Sequence, residues 1–228
     1  MPYRRHPLYT NPRNDRKYSY PRQYWRRYKR RKGPTGIAYD ALKIATFAAS
    51  QLNTEKKHVD RADASMPGDT NLDFELLNGI AQGDGNENRD GTSVKFLTLF
   101  VKGFMRISSS TSRTLVRVLI IHDKVPDGSL PSTSDILDNS DINGMYNTEN
   151  MGAKYQILLD RTYTLSDGSG QTRPFKIFKK LGTKSRYSGT GSTLADISQG
   201  AYYIAFLSDE SVNVPSISWR SRMMFVDN

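Results

Sequence analysis

The chain has 228 residues, 36% of them hydrophobic, with 33 Lys or Arg against 23 Asp or Glu and no cysteine. The lack of cysteine excludes disulfides, a thiolate nucleophile and cysteine-ligated zinc, so the fold must rest on packing. No apolar run approaches the roughly 18 residues of a membrane span, and the opening residues lack the apolar stretch of a signal peptide, so neither membrane insertion nor signal-directed secretion is expected.

The excess charge sits at one end. Residues 1–34 hold twelve Lys or Arg against one acid, Asp15, a balance of +11, which leaves 21 bases and 22 acids, or −1, for the rest. The bases are Arg4, Arg5, Arg13, Arg16, Lys17, Arg22, Arg26, Arg27, Lys29, Arg30, Arg31 and Lys32. Between them stand Tyr3, Tyr9, Tyr18, Tyr20, Tyr24, Trp25 and Tyr28, while five prolines forbid any helix longer than two or three turns. A merely solvating tail would be poor in rings. Charge for phosphates and rings for bases point to a disordered arm that binds single-stranded nucleic acid through these bases and through Tyr24, Trp25 and Tyr28. The run Arg26, Arg27, Lys29, Arg30, Arg31 and Lys32 also has the composition of a nuclear-import signal.

Beyond the arm, residues 35–228 are expected to form one domain. Thr35 to Asn53 carry the one convincing helical pattern, with Ile37, Ala41, Ile44, Ala48 and Leu52 close to one face and Thr35 placed to cap the first turn. The period then changes to two. Eight strands are predicted: Thr54 to Arg61, Leu72 to Asn78, Val94 to Arg106, Thr114 to Asp123, Tyr155 to Leu165, Arg173 to Lys180, Ala201 to Ser208 and Ser216 to Val226. In the last, Ile217, Trp219, Met223 and Phe225 alternate with Ser216, Ser218, Arg220 and Arg222, as in a sheet with one buried face. Thr114 to His122 is almost continuously apolar and should have both faces covered, by the second sheet and by a neighbour. The fold expected is all-β, an eight-stranded antiparallel jelly-roll sandwich with one N-terminal helix and a disordered basic arm. Trp219, Phe225, Leu119 and Ile121 are expected in one sandwich core.

Charge is uneven inside the neutral body as well. Val125 to Glu149 holds Asp127, Asp135, Asp138, Asp141 and Glu149 with no base, whereas Arg173 to Arg186 holds Arg173, Lys176, Lys179, Lys180, Lys184 and Arg186 with no acid. On a nucleic-acid binder the acidic connection belongs away from the polyanion and the basic stretch toward it.

Catalytic chemistry finds little footing. His6, His58 and His122 lie in three different elements and offer no metal-ligand set, and no cofactor is expected. His122, at a strand end, reads as a structural imidazole. The strings Gly83 to Asn88, Gly168 to Thr172 and Ser188 to Thr193 lie between strands with no following helix, which fails the context of a phosphate loop. Asn139, Asp141 and Asn143 before Gly144 approach a calcium loop, but Asn150 stands where a bidentate Glu is required.

Several strings occur in a recognisable order: Ala41-Leu42-Lys43 in the helix, Leu52-Asn53-Thr54-Glu55-Lys56-Lys57 ending at Asp60, Leu76-Leu77-Asn78-Gly79-Ile80-Ala81-Gln82-Gly83, and Asn88-Arg89-Asp90-Gly91 before a long strand. With the arm, they resemble the single jelly-roll coat proteins of small circular single-stranded DNA viruses with Rep-type replication, of the satellite tobacco necrosis virus-like type. One departure is Asp90, where the family pattern has an apolar or small residue. The resemblance implies a capsid protein, not an enzyme: an icosahedral T=1 shell of about sixty copies with the arm inside against a single-stranded DNA genome, or RNA in heterologous expression. It also implies a host nuclear import receptor, an unknown host surface receptor, and a place in the virion and, during assembly, the host nucleus. The alternative is a single-stranded nucleic-acid-binding protein that never assembles.

Overall fold

A computed structural model describes residues 38–45, 55–168 and 170–227. The chain divides into two units, 1–53 and 54–228. The predicted helix is described over 38–45 (α1), with Tyr39, Leu42 and Ile44 exposed. Its remaining turns, including Thr35, lie outside the described residues.

The body is built of β1 (Lys56–Pro67), β2 (Asp73–Leu76), β3 (Ser93–Arg106), β4 (Arg113–Asp123), β5 (Tyr155–Ser166), β6 (Thr172–Lys180), β7 (Lys184–Tyr187), β8 (Ile197–Gln199), β9 (Ala201–Ser208) and β10 (Ser216–Asp227). All eight predicted strands are present. Two short ones, β7 and β8, fall in a stretch read as loop, because Lys184–Tyr187 pairs with the first residues of β3 and carries only a four-residue pattern. A single helical turn, α2 (Thr133–Ile136), breaks the β4–β5 connection.

The strands form two antiparallel sheets, ordered β1-β10-β3-β6 and β2-β9-β4-β5, with β7 and β8 extending the first beside the start of β3. Leaving aside β7 and β8, the chain crosses between sheets at every connection except β4–β5, which is the jelly-roll topology. Connections therefore gather at two ends. At one, Gly68 N donates to Pro215 O (3.1 Å) and Ile107 N to Gln171 O (3.0 Å); at the other, Gln82 N donates to Thr190 O (2.9 Å).

Between the sheets, ring contacts fix the facing side chains, Phe175 with Phe206 (6.2 Å between centroids) and Phe96 with Tyr202 (5.7 Å), and Phe96 also meets Phe225 of its own sheet (5.9 Å). Ile217, Trp219, Met223 and Phe225 are buried on the inner face of β10, as the alternation predicted. Gly103 sits in mid-strand because a Cβ there would press on the Phe175 ring at 2.8 Å.

The phase of β4 departs from expectation. Val118 pairs with Phe206 and Ile120 with Ile204, so these two face the opposite sheet, whereas Leu119 and Ile121 point the other way. They are buried nonetheless, because the β4–β5 connection folds back over them. Arg117, in their phase, donates through Nη1 to Ile142 O (3.2 Å) and Gly144 O (2.8 Å) of that connection. The second cover of β4 is thus its own following loop. A continuously apolar strand shows that both faces are covered but not which residue takes which side.

Candidate nucleic-acid and assembly surfaces

The arm residues predicted to touch nucleic acid, Arg4 to Lys32, and the import run within them lie outside the described residues. The body residues can be placed. The acidic connection and the basic stretch belong to different sheets, so the sandwich separates them. The acids of the connection mostly close turns. Asp135 accepts from Ser132 N (2.8 Å) at the start of α2, Asp138 from Met145 N (2.9 Å), and Asp127 from Ser129 N (3.1 Å) and Lys154 Nζ (3.1 Å). In the basic stretch, Phe175 and Ile177 point inward, which leaves Lys176, Phe178 and Lys180 on the outer face of β6. Lys184 and Arg186 are exposed on β7.

Three buried polar groups tie the connections down; two of them, Lys57 and Arg89, lie in the strings quoted for the resemblance, but nothing in the sequence pattern marked any of the three as buried. Lys57, 2% exposed, donates to Asp90 Oδ1 (2.9 Å) and stands 3.3 Å from Asp227 Oδ2. The hydrogen bond to Asp90, opposed by burial, holds its ammonium above the ordinary value. Asp90, together with Asp227, gives this buried lysine its charged partners. Arg89, fully buried, lies 4.4 Å from the Tyr187 ring centroid and donates to Ile80 O (3.1 Å), Gly91 O (2.6 Å) and Gly189 O. It clamps the β2–β3 connection to the β7–β8 region. Arg117 grips Asp160 with Nε (3.0 Å) and Nη2 (2.7 Å), and Tyr146 OH donates to the same carboxylate (2.6 Å). Burial pushes the Asp160 carboxyl up, but these donors outweigh it and hold it below the usual range. The open hollow of about 330 Å³ beside this pair has its guanidinium already committed and offers no free charge to a ligand.

Metal and phosphate chemistry fare no better among the described residues. His58, Asp60 and Glu87 come together, but both oxygens of Asp60 are held by Arg222 (2.7 and 2.6 Å), so the chain supplies its own cation. In the calcium-like segment Asn139 Oδ1 accepts from Asp141 N (3.1 Å) and Asp141 Oδ1 from Asn143 N (3.4 Å), which uses these oxygens to close the turn. His122 is buried and stacked on Tyr202 (4.6 Å, 18° between planes), and burial lowers its pKa, as for a structural imidazole. One expectation is corrected: a 3-10 turn, Leu194–Asp196, does follow the Ser188 to Thr193 string. Its leading amides are taken by Asp196, which accepts from Thr193 N (3.0 Å) and Gly191 N (3.3 Å), so an acid stands where a phosphate would bind.

A family model described as satellite tobacco necrosis virus coat protein matches residues 68–228. No curated protein matches. Among solved structures, similarity extends to Desmodium yellow mottle tymovirus, at 9% identity and a TM-score of 0.32 over 76% of this chain and 87% of that one. It extends also to an infectious bursal disease virus VP2 subviral particle (9%, TM-score 0.26, 75% and 32%) and to Bacillus endospore appendages, disulfide-linked pili (7%, 0.25, 77% and 94%). At such scores these three add nothing about function.

Proposed function

We propose that this chain, which belongs to the satellite tobacco necrosis virus coat protein family, forms a closed shell of about sixty copies and holds a single-stranded genome with residues 1–34, the genome being DNA on the resemblance of its sequence strings to the coat proteins of small circular DNA viruses. As a coat protein it is a structural component of a virion. The family match begins at residue 68 and leaves the arm out, so the role of the arm rests on the sequence itself. One observation carries it: the arm balances at +11 and the rest of the chain at −1. Sixty arms bring about 660 positive charges, enough to offset part of a genome of about one or two thousand phosphates, with small cations neutralising the remainder. The run Arg26 to Lys32 is read as the signal that brings the protein to a host nucleus, where a small circular DNA is copied and packaged.

Deleting residues 1–34 tests the packaging role. All ten strands lie downstream, so the truncated chain folds, and its particles should show a markedly lower ratio of absorbance at 260 to that at 280 nm than full-length particles. Equal ratios would move packaging to the body. Absence of closed particles in micrographs of the full-length protein would favour a non-assembling single-strand binder instead. For the import signal, residues 1–34 fused to a fluorescent protein too large to diffuse through nuclear pores should accumulate in nuclei, and uniform cytoplasmic signal would remove that role.

A further inference from the structure

One sheet is roofed by the β4–β5 connection; on the other, Lys102, Phe104, Lys176, Phe178, Lys180, Arg220 and Arg222 are exposed among the described residues, on the outer face of β10, β3 and β6. The strand register sets the order of side chains on it. One row runs Arg220, Lys102, Lys176 across β10, β3 and β6, and the next runs Arg222, Phe100, Phe178. Lys180 continues the same outward phase on β6, and Phe104 and Arg106 continue it on β3. Phe178 is 57% and Phe104 42% exposed. Lys176 Nζ stands 5.4 Å from the Phe100 ring centroid, and the Arg106 guanidinium 5.9 Å from that of Phe104. Among the described residues, the acids beside this face stand at the β1 edge, where Asp60 is held by Arg222 and Glu87 stands 3.6 Å from His58.

A solvated sheet face mixes both signs of charge and carries few large rings. Phenylalanines at strand spacing, bracketed by bases and clear of acids, make a stacking platform inside a positive field. Rings on a flat sheet meet the faces of unpaired bases, which a duplex hides in its stack. We infer that the outer face of β10, β3 and β6 binds single-stranded nucleic acid, with Phe100, Phe104 and Phe178 stacking on bases and Lys102, Lys176, Lys180, Arg106 and Arg220 meeting phosphates. This rests on the reading of the chain as a coat around a nucleic acid and adds to the arm a second binding surface built into the folded body.

The test uses the full-length protein with oligo-dT and oligo-rU. Ultraviolet cross-linking followed by peptide mapping should place adducts on Phe104 and Phe178 as well as in residues 1–34. K102A/K176A should flatten the log-log salt dependence of binding by about 1.4, at roughly 0.7 for each phosphate no longer neutralised. F104A/F178A should weaken binding about fivefold or more for each ring that stacks, with the slope unchanged. These side chains face outward, so both variants should keep the parent circular dichroism spectrum. Adducts confined to residues 1–34, with parental binding in both variants, would overturn the inference and leave the arm's role standing. Variants that bind normally but fail to form particles would also overturn it, by making the face an interface between subunits. A full-length protein that binds neither oligonucleotide would sink the packaging reading itself.

Discussion

At the scale of single residues, the buried charges show what holds the long connections in place. Lys57 on β1 and Arg89 in the β2–β3 connection carry no local sign of burial, yet each is enclosed and each is satisfied, Lys57 by two carboxylates and Arg89 by three carbonyls and a ring. Asp123 is different. It ends β4 almost fully buried, accepts from Val125 N (3.0 Å), and burial pushes its carboxyl up to about 6. An unfolded aspartate titrates near 3.9, so Asp123 is protonated in both states below about pH 4 and costs nothing there. Between about pH 4 and 6 the unfolded chain gives up this proton while the folded protein keeps it, so stability falls by about 2 kcal/mol across that window and levels off above it. Asp123→Asn should therefore melt like the parent near pH 4 and be the more stable of the two near pH 7, in paired thermal melts across that range. Identical pH profiles would show that Asp123 ionises as freely folded as unfolded.

At the scale of elements, β4 is the instructive strand. Its apolar run correctly announces cover on both faces, and the covering layer is the connection that follows it, pinned by Arg117 and capped at α2 by Asp135. If that cover packs as a second core, Leu119→Ala should destabilise the body by about 2 to 5 kcal/mol although Leu119 faces away from the opposite sheet. Trp219→Ala, between the sheets, should cost about 3 to 5 kcal/mol. Chemical denaturation of both variants compares the two sides of the sandwich directly. A loss below about 1 kcal/mol for Leu119→Ala would mean that the connection is a loose lid. The alternation in β10 was legible because exposed polar residues line its outer face; the phase of β4 was not, because apolar residues occupy both faces.

At the scale of the whole molecule, charge is sorted twice: along the chain, between arm and body, and across the body, between the acidic connection over one sheet and the basic outer face of the other. The arm has no regular pattern that could present fixed side chains to base edges, so its binding should be governed by phosphates and stacking rather than by sequence. The isolated peptide 1–34 should lose affinity for single-stranded DNA with a log-log salt slope of roughly −0.7 for each phosphate neutralised, and should bind different sequences of equal length about equally. Strong preference for one sequence in the same titration would contradict this.

Composition and order along the chain were enough to determine the arm, its charge, the eight principal strands and the all-β sandwich, because charge runs and two-residue alternation are local properties that survive without a fold. What lies opposite what was decided only in three dimensions. Lys57 is joined to Asp227, Arg89 to Gly189, and Phe100 to Phe178 and Arg222, across separations of 78 to 170 residues that carry no trace in local pattern. The outer face of rings and bases exists because strands distant in sequence pair at a particular register, and a slip of one residue would turn every one of those side chains into the core.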